Sequence, residues 1–237
     1  MSSDEQPDNH QYDAHRLIFH MSLAGVLFCA GGLLVSLVSV YRDIGFDIIN
    51  LRIDKLGDYL HSPYAYVYNI GLMFSGASFM LGMLGLYLLN YNHFSHYLSI
   101  AGCCSGIGIS LLGIFPYNDV AAHKGAALFF IVSTFSMFIL LIITRRRSPI
   151  LCNRPLFIIS ILGVILSLAL LAQMDTSTLD YVQCDPDTLC PSAISIWLHT
   201  FMTMGAGIGL ALTARALANS PHHPMTNTEK TPPLRLR

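Results

Sequence analysis

Six apolar runs, each long enough to cross a bilayer, decide most of what this chain can become. They lie at about 18–41, 64–89, 97–115, 125–143, 156–173 and 193–215. A helix needs about 20 apolar residues to span the hydrocarbon core. Helices buried in a soluble bundle rarely run apolar all round for that length, so that alternative is set aside. Composition agrees. Only 11% of the 237 residues are charged, against about 25% in soluble domains. The expectation is an all-α polytopic membrane protein with six transmembrane helices in one bundle. Residues 1–17 and 216–237 read as polar cytoplasmic tails, the second Pro-rich and disordered, and 18–215 as the membrane domain. The first run is too long for the apolar core of a cleaved signal and has no small-residue cleavage pattern, so it reads as a retained helix.

Charge sets the expected orientation. With both termini inside, nine Lys and Arg residues fall on the inner side and four on the outer. The largest contribution is Arg145-Arg146-Arg147 after the fourth run. The positive-inside rule then puts both termini in the cytoplasm. Cys184 and Cys190 share the last outer loop, where an oxidising compartment permits a disulfide. Cys29, Cys103, Cys104 and Cys152 form no metal or redox spacing and read as small buried hydrophobes.

One stretch, 113–125, gathers ionisable groups beside hydrocarbon: Gly-Ile-Phe-Pro-Tyr-Asn-Asp-Val-Ala-Ala-His-Lys-Gly. Pro116 should end one helix, and Asn118 or Asp119 should cap the next. Asp119 and His123, four apart, then share a helical face. His199 lies about two turns inside the sixth run, and Asn69 about one turn inside the second. Polar groups at one shallow depth on separate helices mark either a satisfied structural network or a functional pocket. Both readings stay open. Asn69, Asp119, His123 and His199 are the candidate ligand-binding residues. Asp119, His123 and His199 are also the candidates for catalysis and for a metal. Zinc held by these three, with Asp58 or His61 near, is one option within an expectation of no cofactor. Haem between His123 and His199 is another.

Elsewhere the residues predict structure rather than chemistry. In the 42–63 loop, Ile49, Ile53, Leu56 and Leu60 recur at helical spacing. They predict a short amphipathic helix on the membrane surface or over the bundle. Tyr64, Tyr66 and Tyr68 read as an interfacial aromatic belt. Gly102 and Gly106 make a small-residue packing face. The fifth run, almost wholly aliphatic, reads as lipid-facing or structural. No nucleophile elbow, P-loop or dinucleotide fingerprint is present.

Ile53-Asp54-Lys55-Leu56-Gly57, Asn69-Ile70-Gly71 with Ser75-Gly76, Gly113-Ile114-Phe115-Pro116 with His123, and His199 together resemble a bacterial and archaeal family of six-span integral membrane proteins catalogued as a domain of unknown function. That family is similar to the eukaryotic damage-regulated autophagy modulator type. The resemblance implies a six-helix bundle acting on or beside lipids and supplies no reaction. Its members tend to carry Ser-Asp where this chain has Asp54-Lys55, which leaves a role for that loop carboxylate in question. Seven-span hydrolases of the alkaline ceramidase type are a more distant likeness, since this chain has six runs and lacks His-x-x-x-His in the last.

The leading expectation is a protein that binds or senses lipid through a polar pocket near the outer leaflet. The alternatives are a metal-dependent membrane hydrolase of a lipid or amide, and a small-solute or proton-coupled transporter. Membrane lipids are the expected partners and nucleic acid is not.

Overall fold

A computed structural model describes residues 14–175, 177–181 and 189–219. Among them are six long helices, each apolar and long enough to cross a membrane: α1 (Ala14–Ile44), α2 (Ala65–Leu88), α3 (His93–Ile114), α4 (Val120–Arg147), α5 (Arg154–Gln173) and α6 (Pro191–Ala218). The chain is an all-α, multi-pass membrane protein. Apart from α2, which lies within its run, each helix overruns its apolar run at one or both ends by up to about five residues, because polar ends continue the backbone pattern past the hydrocarbon edge. Most of the two tails, 1–13 and 220–237, lies outside the described residues, as does Cys184.

Local chemistry places the helix ends. Asn92 accepts from Ser95 N at 2.9 Å, and Ser95 Oγ answers to Asn92 N, a capping box that starts α3. Pro116 separates α3 from α4 as expected. Asp119 caps α4 by accepting from Ala122 N at 3.3 Å. Asn153 caps α5, with a proline in its first turn.

Each helix packs against its neighbours in sequence, and α6 returns to pack on α1. The bundle is therefore a closed ring of six. Glycine permits the closest crossing. A Cβ at Gly76 of α2 would stand 2.3 Å from Gly106 O of α3, so any side chain there would force the two backbones apart. The Gly102–Gly106 face works as the spacing predicts.

A six-membered ring leaves a central space that side chains must fill. At the end carrying the α2–α3 and α4–α5 loops they do so. Ile18, Met83, Leu98, Phe138, Leu141, Leu156 and Leu210 form one continuous core. Asn92 Nδ2 donates to Ser148 Oγ at 2.8 Å and ties those two loops together. At the other end, here called the lidded end, the filling is incomplete.

Two expectations change. The 42–63 loop is not one amphipathic helix. It forms two short 3-10 turns, η1 (Gly45–Ile49) and η2 (Ile53–Gly57). Ile53 and Leu56 are buried, while Ile49 and Leu60 are exposed. Asp58 stops the run: its carboxylate accepts from Leu60 N and His61 Nδ1, so the chain turns instead of continuing a helix. The loop does lie over the bundle as a lid. A two-residue antiparallel ladder, β1 (Met174–Asp175) with β2 (Asp180–Tyr181), also joins α5 to α6. Of the three tyrosines read as a belt, Tyr64 and Tyr66 face outward and Tyr68 is buried. A helix rotates about 200° over two residues, so Tyr66 and Tyr68 must face opposite ways.

Candidate functional site

Beneath the lid lies a partly open cavity of about 110 Å³. It is of the order of an engineered apolar cavity that holds one aromatic ring. Asp54, Pro116, His123 and Tyr181 border it near the lid. Phe79, about four turns below the start of α2, borders its deep end. Most of the wall is apolar, including Leu72, Ile109, Phe130, Ile196 and Met204.

The lid is held by charge. Arg52 grips Asp54 with two nitrogens, Nε to Oδ1 at 3.2 Å and NH2 to Oδ2 at 2.5 Å. Its third nitrogen donates to Asp180 Oδ1 at 3.0 Å. Lys124 completes the set, 3.1 Å from Asp180 Oδ2. The Arg52 guanidinium also lies over the Tyr181 ring at 4.9 Å. Thus η2, the start of α4 and the β1–β2 hairpin are clasped by four charges. A second set joins the lid to the α3–α4 loop. Asn118 donates to Asp58 Oδ1 at 2.7 Å and accepts from Tyr59 N at 2.9 Å. Trp197 of α6 donates to Leu51 O at 3.0 Å.

His123 stands under this clasp, 4% exposed. Its Nδ1 lies 2.8 Å from Phe115 O. A carbonyl only accepts, so Nδ1 donates. Its Nε2 lies 3.4 Å from Asp54 Oδ2. Both ring nitrogens face acceptors, and both are committed. Burial alone would raise the Asp54 carboxyl. The hydrogen bond from His123, with the charge and hydrogen bonds of Arg52, reverses that and holds it at about 2.

The expected partner of His123 was Asp119. That carboxylate is exposed, caps its own helix and does not line the cavity. The cap geometry explains why: to accept from Ala122 N, Asp119 turns along the helix axis and away from the ring four residues on. Asp54, from a distant loop, takes its place. Asn69 and His199 do line the cavity with His123. Asn69 donates from Nδ2 to Gly57 O at 3.0 Å and so ties α2 to the lid.

His199, 1% exposed, meets hydroxyls rather than a carboxylate. Its Nε2 lies 3.2 Å from Thr134 Oγ1 and 3.1 Å from Ser167 Oγ. Each hydroxyl gives its one proton to a helix carbonyl, Thr134 to Phe130 O and Ser167 to Gly163 O, at 2.8 Å. Nε2 is then the donor, and Nδ1 keeps its lone pair. Phe130 and Phe138 meet the ring edge-on. Ser167 and Thr134 escaped the sequence reading. Their signal was present: Ser160 and Ser167, seven apart, draw a polar line down an otherwise aliphatic α5, and both are buried.

Among the described residues no three His, Cys, Asp or Glu side chains gather as a metal site would require. The three residues considered for zinc do not converge, because Asp119 turns outward. Comparison of the chain with family models, with curated proteins and with solved structures finds no match.

Proposed function

We propose that this chain binds a membrane lipid, holding part of it in the cavity beneath the lid. One observation carries the reading: a ring of six apolar helices is filled at one end and left hollow at the other, under a charged clasp. A hollow that merely resulted from poor packing would cost stability without return. Here the clasp of Arg52, Asp54, Asp180 and Lys124, with His123 beneath it, lies over it. The same proposal places the lidded end at the outer leaflet of a bacterial inner membrane with both termini in the cytoplasm, on the strength of the basic-residue bias. It also includes the likeness to the six-span family of unknown function.

A metal-dependent hydrolase draws less support. Its candidate base, His123, has both ring nitrogens engaged, and the candidate metal ligands do not meet.

Mass spectrometry of the chain released from membranes tests the reading. The wild type should retain a lipid at a fixed ratio. Ala127→Phe, which places a ring in the cavity wall, should fold and lose it. Equal retention by both would show that lipid sits only on the outer surface and would overturn the assignment.

A further inference from the structure

The polar atoms inside the cavity narrow the chemistry of the ligand. Asn69 is 2% exposed and Tyr181 8%. Both line the cavity. The bond from Asn69 Nδ2 to Gly57 O fixes which end of the amide is nitrogen. Asn69 Oδ1 is then a buried acceptor with no hydrogen-bond partner among the described residues, and the Tyr181 hydroxyl is a second buried group with none. His199 Nδ1 adds a third lone pair, since the described hydrogen bonds of that ring side chain all involve Nε2. Buried polar groups are satisfied in more than about 90% of cases. Ser22 Oγ, a hydroxyl in the deeper wall, is buried and without a partner as well, and four such groups around one cavity call for a ligand.

Two of the four, Asn69 Oδ1 and His199 Nδ1, accept only, and the two hydroxyls do either. The two pure acceptors can be satisfied only by a donor. An ionised carboxylate or a doubly ionised phosphate has no proton to give. It would also find no Lys or Arg among the described residues that line the cavity. Arg52 is spent on Asp54 and Asp180, and Lys124 on Asp180 and Thr178 O. Asp54, the carboxylate that borders the cavity, already holds the nearest donors, Arg52 and His123 Nε2, so none of them is left for an anion.

We infer that the cavity takes a neutral amphiphile whose hydroxyl or amide N–H donates to Asn69 Oδ1 and bonds the Tyr181 hydroxyl, with its apolar chain along Leu72, Phe79, Ile109 and Met204. The inference rests on the lipid-binding reading and specifies its ligand. Burial pushes the Tyr181 phenol up, so it remains a neutral donor and acceptor.

Radiolabelled 1-tetradecanol, titrated onto the purified full-length chain in phosphatidylcholine nanodiscs, is the test. Binding should saturate at one per chain. Unlabelled tetradecanamide should displace the label, while tetradecanoate and tetradecyl phosphate should compete at least about tenfold less well, the loss expected when buried acceptors stay unpaired. Tyr181→Phe, which removes one oxygen and keeps the ring, should weaken the alcohol about tenfold and leave tetradecane competition unchanged. Its unfolding midpoint reports that it folds. If tetradecanoate binds as tightly as the alcohol, the neutral-ligand inference falls while lipid binding stands. If Tyr181→Phe and Ala127→Phe both leave alcohol binding intact, the site is wrong. If no probe binds saturably, waters alone occupy the cavity, and the lipid-binding reading falls with the inference.

Discussion

His123 Nε2 lies 3.4 Å from Asp54 Oδ2, although 69 positions of chain separate the two residues. This pair joins the lid to the helix that forms the cavity wall, and with Arg52 it makes one unit. Asp54→Asn leaves Arg52 half-buried without its bidentate partner. We expect a loss of about 3 kcal/mol, the range for removing one member of a buried pair. Asp119→Ala removes only a helix cap and should cost about 1 kcal/mol. Double-mutant cycles on unfolding in detergent separate the two cases. Asp54→Asn with His123→Gln should couple by about 0.5–3 kcal/mol, whereas Asp119→Ala with His123→Gln should be additive within about 0.5. The reverse pattern would restore Asp119 as the partner.

Acid should release the lid before it unfolds the bundle. The Asp54 carboxyl is held at about 2, below its usual 3.8. A depressed carboxyl contributes stability that is complete above the unfolded value and is lost as pH falls through the folded one. Between pH about 4 and 2, protease cleavage in the 45–60 loop should therefore rise. Asp54→Asn should be more cleavable across that window and show a smaller rise, the remainder carried by Asp58 and Asp180, whose carboxyls are also held below their usual value.

Gly57 should tolerate no side chain. A Cβ there would stand 2.4 Å from Asn69 Oδ1. Gly57→Ala must push the lid away from α2 and break the Asn69–Gly57 bond. We expect a loss of about 1–3 kcal/mol, the range for a strained or overpacked site. A Gly31→Ala control meets nothing within 4 Å and should leave the unfolding midpoint in place or raise it, since Ala favours a helix interior over Gly.

His199 should depend on its hydroxyls collectively. Nε2 has two acceptors, at 3.1 and 3.2 Å. Removing one leaves the other, so Ser167→Ala or Thr134→Val alone should cost under about 1 kcal/mol. The double variant leaves a buried N–H unmade and should cost about 1–3 kcal/mol more than the sum. Thermal unfolding of the four proteins decides it. Simple additivity would remove the shared role.

The lidded end should face outward. A cysteine at Ser177, in the β1–β2 hairpin, should react with an impermeant thiol reagent in intact cells, above the background of the unmodified chain. One at His93, exposed at the other end, should not. Opposite labelling would invert the orientation. The proposed Cys184–Cys190 disulfide needs the same orientation, and peptide mass spectrometry under oxidising conditions should find the two linked.

What the sequence by itself determined is what local physics controls. Apolar length fixes that a segment spans, because the cost of exposing backbone to hydrocarbon leaves little but a helix. Pro116 and Asp119 mark helix ends, because a cap acts within one turn. The depth of Asn69, His123 and His199 follows from counting residues along a helix. Which group meets which was decided only by the tertiary structure. Asp119 was the obvious partner for His123 because it is four residues away, yet the same nearness commits it to capping. Asp54 prevails because a ring closed by α1 and α6 folds the first loop over the cavity, where Arg52, Asp180 and His123 converge from three segments. Ser167 and Thr134 reach His199 for the same reason: facing positions on separate helices have no fixed sequence distance. The cavity itself is a property of six helices in a ring, and no single stretch of the chain encodes it.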